Sequence, residues 1–250
     1  MRTPELPAVS SIEQDSPPNL VDAQKFWWQS CLYNICHTAL GTALTFGSSL
    51  RVQGRNNVPS SGPVLLLANH ASHVDPVLVA LATDRYLSFV AKLEHFQNRF
   101  MAWLLRNGGA FPIHRGVGTE AIKETRRRLQ QGKAVLIFPE GTRTNHPQGQ
   151  MQDLKPGIVP IMKGIGVPVV PVGIAGSINM LPRGARVPKL SPIFAPPNDA
   201  SLSVSVGKPI ASNTFAGMPR EDVLEELARL IAAEKVRAEE MRKGGLRNRV

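Results

Sequence analysis

The stretch Leu65-Leu66-Leu67-Ala68-Asn69-His70-Ala71-Ser72-His73-Val74-Asp75 decides how the chain folds. Val64 to Ala68 is a continuous apolar run, set off by the breaker Gly62-Pro63. Such a run reads as a fully buried strand, although periodicity alone does not separate it from a buried helix segment. It stops at Asn69-His70, and Asp75-Pro76 mark a helix start, with Asp as N-cap and Pro in the first turn. His70 therefore stands where a buried strand ends, with Asp75 five residues later at a helix start. In open α/β sheets, ligands bind in the crevice outside the carboxyl ends of the strands. Taken alone, the pair is equally an ordinary loop.

The surrounding chain alternates. Apolar strand-like runs fall at 64–68, 86–91, 134–138 and 167–172, with a further strand at 202–206. Helical patterns lie at 76–82, 95–106 and 119–131. This alternation predicts an α/β fold with a largely parallel central sheet flanked by helices, connected by right-handed crossovers. Residues 177–200 are rich in Pro and Gly and read as a long excursion of lid or loop type. A closing helix over 219–243 carries Val223, Leu227, Leu230 and Ile231 on one face. The organisation is thus a mobile arm at 1–24, a helical segment at 25–50, an α/β domain at 51–243 and a basic tail at 244–250.

A chain of 250 residues, 42% hydrophobic, buries a sizeable core. Its net charge of +10 favours polyanionic partners such as anionic lipid or phosphorylated substrates. The charge is uneven, since Arg2 and Lys25 stand against Glu5, Glu13, Asp15 and Asp22 in residues 1–50. Few aromatics are interleaved with the basic residues and no binding motif appears, which argues against nucleic acid. Cys31 and Cys36 share one apolar stretch and suggest neither a disulfide framework nor a zinc site, so a reducing compartment is expected. The arm holds Pro4, Pro7, Pro17 and Pro18 and does not resemble a signal peptide.

Between Lys25 and Arg51 there is no Lys, Arg, Asp or Glu. Trp28, Leu32, Ile35, Ala39, Ala43, Phe46 and Leu50 recur at helical spacing, widened by Trp27, Cys31 and Cys36. Gln29, Asn34, His37, Thr38 and Thr45 fall mostly on the other side. The segment exceeds the roughly 20 residues that a span needs, but its polar content favours a helix lying in the membrane interface. The alternative is an amphipathic helix capping the soluble core. For the tail, a solvated end and a membrane-surface contact both stand.

Four short stretches lie at or just after predicted strand ends: Asn69-His70 through Asp75, Phe111-Pro112-Ile113-His114-Arg115-Gly116, Phe138-Pro139-Glu140-Gly141-Thr142-Arg143, and Val169-Val170-Pro171-Val172. The third places a carboxylate, a glycine and a guanidinium at one rim. The fork of Arg143 suits a phosphate or carboxylate in bidentate fashion, and glycine lets backbone approach a ligand closely. Glu140 and Arg143 are equally able to pair with each other in a turn, and Arg115 to be a solvated charge. His70, His73 and Asp75 invite a metal reading, but no further His or Cys cluster completes a site.

In this order and spacing the four stretches resemble the glycerolipid acyltransferase family, whose bacterial type is the 1-acyl-glycerol-3-phosphate acyltransferase. Its N-H-x-x-x-x-D motif is matched by Asn69, His70 and Asp75, and its F-P-E-G-T-R motif by Phe138 to Arg143 without change. Phe111, Ile113 and Arg115 match the second motif, and Val169 and Pro171 the fourth. Lys92 matches a Lys that follows the second strand in many members. Thr144 and His114 are mild departures. The resemblance covers about residues 50–210.

It implies acyl transfer from a thioester, carried on coenzyme A or an acyl carrier protein, to lysophosphatidic acid, with no cofactor and no metal. His70 is the expected general base, held in one tautomer by Asp75, without a protein nucleophile at Ser72. The Gly141 N–H or Lys92 is expected at the developing oxyanion. Arg115, Arg143 and Lys92 are expected on the acceptor's phosphate, and Glu140 on the basic side chains or the acceptor glycerol. Thr142 is grouped with these binding residues. A membrane-associated enzyme at the cytoplasmic face is implied. Glycerol 3-phosphate or another lysophospholipid as acceptor, and a thioesterase using the same His–Asp pair, remain alternatives.

Overall fold

The computed structural model describes residues 27–113, 118–163, 166–185, 187–195 and 198–247. The arm at 1–24, Arg115 and the last residues of the basic tail lie outside the described residues; the tail's first residues continue the closing helix.

Seven strands form one sheet: β1 (Arg51–Gln53), β2 (Val64–Ala68), β3 (Leu87–Lys92), β4 (Ala110–Ile113), β5 (Ala134–Ile137), β6 (Val169–Ala175) and β7 (Ser203–Val206). Their order across the sheet is β1-β7-β6-β2-β5-β3-β4. Every pairing is parallel except β6 with β7. The helices are α1 (Trp27–Ser48), α2 (Asp75–Leu81), α3 (Arg99–Asn107), α4 (Gly118–Gln130), α5 (Ile158–Lys163), α6 (Ser177–Met180) and α7 (Arg220–Arg247).

The reading of 64–68 as a buried strand holds to the residue, with all five positions buried. Its alternation separates two cores. Val64, Leu66 and Ala68 join Val170, Val172, Leu78 and Val79 on one face. Leu65 and Leu67 join Val135, Leu129, Ile158, Leu227 and Ile231 on the other. A strand buried on both faces has no polar side, which is why the run is unbroken. Strands β1 and β4 escaped the run-based reading because they are short and hold polar residues or proline. Helix α5 escaped it too, being only six residues long.

The chain leaves β2 toward β3 and β4, returns through β5 to β2's flank, and then crosses to β6 on the other side. Strand β2 thus sits where the winding reverses, and such a switch point opens a crevice at the strand carboxyl ends. The ends of β2, β3, β4 and β5 all face this rim.

Helix α7 closes the face of Leu65 and Leu67 by direct backbone approach. A Cβ built on Gly173 of β6 would stand 2.1 Å from the Glu234 carbonyl carbon and the Lys235 nitrogen. Ser203 Oγ donates to the Ala238 carbonyl at 2.6 Å, and Ser205 Oγ to Glu234 Oε2 at 2.6 Å. Small side chains on β6 and β7 thus let the helix lie almost on the sheet.

Helix α1 is oriented against one of the two sequence readings. Tyr33, His37, Gly41, Leu44 and Thr45 turn toward the core. His37 Nε2 lies 3.1 Å from the Ala80 carbonyl, and a Cβ on Gly41 would meet Leu81 at 3.4 Å. The apolar stripe of Ile35, Ala39, Ala43 and Phe46 faces outward. The apolar side therefore does not cap the core. Among the described residues no helix is long and apolar enough to cross a membrane.

Gly173→Ala is expected to destabilise the fold by ~1–3 kcal/mol, the range for overpacking, lowering the melting temperature by several degrees. Thermal denaturation checks this; an unchanged melting temperature would mean that α7 does not need the close approach.

Candidate active site

At the end of β2 the chain turns sharply and brings Asp75 back onto His70. Asp75 is fully buried, and its Oδ2 accepts from His70 Nδ1 at 2.9 Å, from the Ala71 N–H at 2.6 Å and from the Ser72 N–H at 2.7 Å. A carboxylate oxygen is an acceptor only, so Nδ1 carries the proton and Nε2 is left with its lone pair. The N-cap role expected of Asp75 is corrected here. Val74 occupies the cap, Asp75 begins the helix, and its side chain turns back to cap the preceding loop. His70 keeps partial access to solvent, and its ring stacks on Phe138 at a centroid distance of 4.1 Å.

The loop after β5 is sewn to this turn. Glu140 Oε1 accepts the His70 N–H at 2.8 Å, Glu140 Oε2 accepts the Gln152 N–H at 2.8 Å, and the Thr144 N–H donates to the His70 carbonyl at 2.8 Å. Asn69 bonds the other neighbour, its Nδ2 donating to the Ile174 carbonyl at 3.0 Å and its Oδ1 accepting the Ile174 N–H at 2.8 Å.

Glu140 therefore holds a different place from the one expected of a substrate contact. It is buried, and both carboxylate oxygens are engaged by backbone; it makes no ion pair with Arg143. Burial raises its pKa, against the opposing pull of the two N–H donors and of the charges of His70 and Lys235. The Gly141 N–H is likewise engaged, donating to the Phe138 carbonyl at 3.0 Å in a turn whose φ of 71° suits glycine. It is not available as an oxyanion donor in this conformation.

Lys92 ends β3 in an exposed position, and Thr142 and Arg143 are half-buried on the β5 loop. Arg143 makes no ion pair among the described residues. Its pKa is lowered by burial and by the nearby Arg183, with Asp75 opposing. Ser72 is buried and its hydroxyl donates to the Leu181 carbonyl at 2.9 Å, so it is no nucleophile. His73 and His95 meet edge to face at 5.8 Å, and no group of three metal-ligating side chains gathers among the described residues.

Sequence reasoning missed Gln152, Lys235 and Arg183. Gln152 reaches Glu140 through its backbone, which leaves no side-chain signal, although its Nε2 also donates to the Arg143 carbonyl at 3.2 Å. Lys235 follows Ile231 by four residues on the buried stripe of α7, and a lysine there was a readable signal. Its ammonium donates to the Gly149 carbonyl, and burial lowers its pKa while Glu140 and Glu239 raise it.

His73 is pushed down to about 4 by burial, then by Arg143, His95 and His70, with Asp75 opposing. Between that value and the unfolded-state value near ~6.5 the unfolded chain binds a proton that the native state refuses. Stability is therefore lost as pH falls through this window. The effect is modest, because His73 is only partly withdrawn from water and solvent screens much of it. His73→Asn is expected to flatten the acid side of a stability-versus-pH curve between about pH 6.5 and 4; an unchanged slope there would contradict it.

The acyltransferase family profile matches residues 49–175. The chain is 27% identical over 212 residues to the 1-acyl-sn-glycerol-3-phosphate acyltransferase of Bacillus subtilis, covering 84% of this chain and 96% of that one. It is 30% identical over 139 residues to the chloroplastic 1-acyl-sn-glycerol-3-phosphate acyltransferase BAT2 of Brassica napus, covering 54% of this chain but 40% of that longer one. The crystal structure of the 1-acyl-sn-glycerophosphate (LPA) acyltransferase PlsC from Thermotoga maritima superposes with a TM-score of 0.69 at 23% identity, over 92% of this chain and 86% of that one, which establishes a common fold. The profile spans just over half of the 250 residues and takes in His70, Lys92 and Glu140; the chain belongs to the acyltransferase family.

Proposed function

We propose that this enzyme transfers a fatty acyl group from an acyl thioester, on coenzyme A or an acyl carrier protein, to the free hydroxyl of 1-acyl-glycerol 3-phosphate, giving phosphatidic acid. The observation that carries the reading is the His70–Asp75 pair, 2.9 Å apart at the switch point of the sheet. The names of the Bacillus and Brassica relatives support the same acceptor.

An alcohol is a poor nucleophile at neutral pH. As the acceptor oxygen attacks the thioester carbonyl, His70 Nε2 takes its proton, a contribution of ~10²–10⁴ in rate. Asp75 fixes the tautomer and stabilises the imidazolium that forms. The tetrahedral intermediate collapses by breaking its C–S bond, and His70 returns the proton to the leaving thiolate. No acyl-enzyme is required, in keeping with the engaged Ser72 hydroxyl. With the Gly141 N–H in a turn, Lys92 at the end of β3 is the remaining candidate for the oxyanion. Arg143, Lys92 and Arg115 would meet the acceptor's phosphate, and Thr142 the same loop's polar rim. Glu140 holds the His70 backbone in place for this step.

The lysophosphatidic acid acceptor and its product belong in a bilayer, and we place the enzyme on the cytoplasmic face of a membrane, lying in the interface rather than spanning it. The outward stripe of α1 supports this, with Ile35 64% exposed. On α3, Phe100 is 68% exposed beside Trp103, and Phe194 on the excursion is 84% exposed. These features flank α1: the Ser191 and Ile193 N–H groups donate to the Gly47 and Phe46 carbonyls at 2.9 Å, and Tyr86, which meets Tyr33 at 5.0 Å, donates to the last turn of α3. Apolar side chains left in water around a basic protein fit an anionic lipid surface.

His70→Ala is expected to lower kcat for phosphatidic acid formation by ~10²–10⁴ with the fold intact. Asp75→Ala should lower kcat as well and also reduce stability by about 1–3 kcal/mol, because two buried N–H groups lose their acceptor. Undiminished turnover in His70→Ala, or free fatty acid as the product without acceptor, would overturn the mechanism. A Phe100→Ser/Trp103→Ser variant is expected to co-sediment several-fold less with anionic vesicles; equal binding would remove α3 from the membrane contact.

A further inference from the structure

Two loops that are far apart in sequence bring like charges together at the rim. Arg143 follows β5, and Arg183 belongs to the excursion after α6. Arg183 bonds Asn145, two residues beyond Arg143, which places both guanidinium groups on the same stretch of the rim. The charge of Arg183 also lowers the pKa of Arg143, and neither arginine forms an ion pair with a carboxylate among the described residues. Neighbouring cations repel one another unless an anion binds beside them.

The arrangement is built rather than incidental. Ser72, two residues after His70, donates its hydroxyl to the Leu181 carbonyl at 2.9 Å, pinning the start of the excursion over the catalytic turn. The Ala185 N–H donates to the Pro182 carbonyl at 3.0 Å, closing a tight turn that carries Arg183. One Arg183 Nη donates to Asn145 Oδ1, two residues beyond Arg143, which aims the side chain toward the β5 loop. Its other N–H donors have no partner among the described residues. On the opposite loop, Gln152 fixes the Arg143 carbonyl.

We propose that Arg183 completes a two-arginine clamp for the acceptor's phosphate dianion, and so sets the preference for phosphorylated over neutral acceptors. This rests on the acyltransferase reading above. A guanidinium fork binds two phosphate oxygens at once, and two forks on separate loops match the charge and the tetrahedral shape of a phosphate monoester. A neutral glycerol head group brings no charge to either fork and leaves the repulsion between the two cations uncompensated. The excursion thereby becomes the acceptor-selecting segment, while the donor thioester is left to other parts of the rim.

The test compares lysophosphatidic acid with monoacylglycerol in mixed micelles, by equilibrium binding and by turnover, for wild type, Arg183→Ala, Arg183→Lys and Asn145→Ala. The expected result for Arg183→Ala is about tenfold or greater loss of lysophosphatidic acid binding, a matching rise in KM and kcat within about twofold, in line with loss of charge-assisted hydrogen bonds. Monoacylglycerol binding should not fall. Arg183→Lys should recover only part of the loss, since an ammonium lacks the fork, and Asn145→Ala should give a smaller loss in the same direction. Unchanged lysophosphatidic acid binding in Arg183→Ala, or equal losses for both lipids, would overturn the clamp. Binding decides this even if wild type binds lysophosphatidic acid without acylating it, which would refute the reaction assigned above and not the clamp.

Discussion

A single carboxylate oxygen, Asp75 Oδ2, accepts three N–H groups: the His70 ring and the Ala71 and Ser72 backbone. A buried anion is tolerated only when donors replace the water it has lost. Here the donors come from the turn that the anion itself stabilises. The same contacts fix the tautomer of His70 and the path of the chain from β2 into α2. Removing the carboxylate would free the ring, but it would also leave two buried N–H groups unsatisfied. The geometry of the His70–Asp75 pair and the local fold thus rest on one atom.

This turn is held from both flanks of β2. Asn69 reaches β6 through paired hydrogen bonds to Ile174, and Glu140 and Thr144 bind the N–H and C=O of His70 from the loop after β5. Both flanking strands run parallel to β2, so their carboxyl ends and following loops arrive at the same height. Parallel pairing is what allows short polar side chains to reach across. Lys235 extends the arrangement to α7, because its ammonium touches the Gly149 carbonyl and lies within electrostatic range of Glu140. The close seat of α7 on Gly173 delivers that lysine to the back of the site.

Much of this was legible in the residues. The strand at 64–68 announced itself because burial on both faces demands an unbroken apolar run, and the His–Asp spacing with the Phe138–Arg143 stretch marked the rim. What escaped depended on tertiary approach. Glu140 reads as a surface carboxylate beside Arg143, yet it is buried on backbone donors that no pattern reveals. The Gly141 N–H was a fair oxyanion candidate until the turn engaged it. Strands β1 and β4 are too short to show a period. The stripe on α1 was read correctly as a stripe, but a periodicity gives a face and not its direction. Only the packing of His37, Gly41 and Leu44 on the core shows that the apolar side points away.

That direction matters for how a lipid would reach the base. The alternation of β2 assigns α1 and α2 to one face of the sheet and α4, α5 and α7 to the other. The second face is closed by a long helix seated on the backbone of β6 and β7. The first carries α2, whose opening residue is Asp75, and α1, whose apolar stripe remains uncovered. His70 sits on the edge between them, at the carboxyl end of the strand that both cores share. On the proposed reading, acyl chains approach from the α1 side while the charged head group meets Arg143 and Arg183 at the rim. The amphipathic substrate is then divided along the same line that divides the protein, and the reacting hydroxyl, which joins head group to chain, falls beside the base.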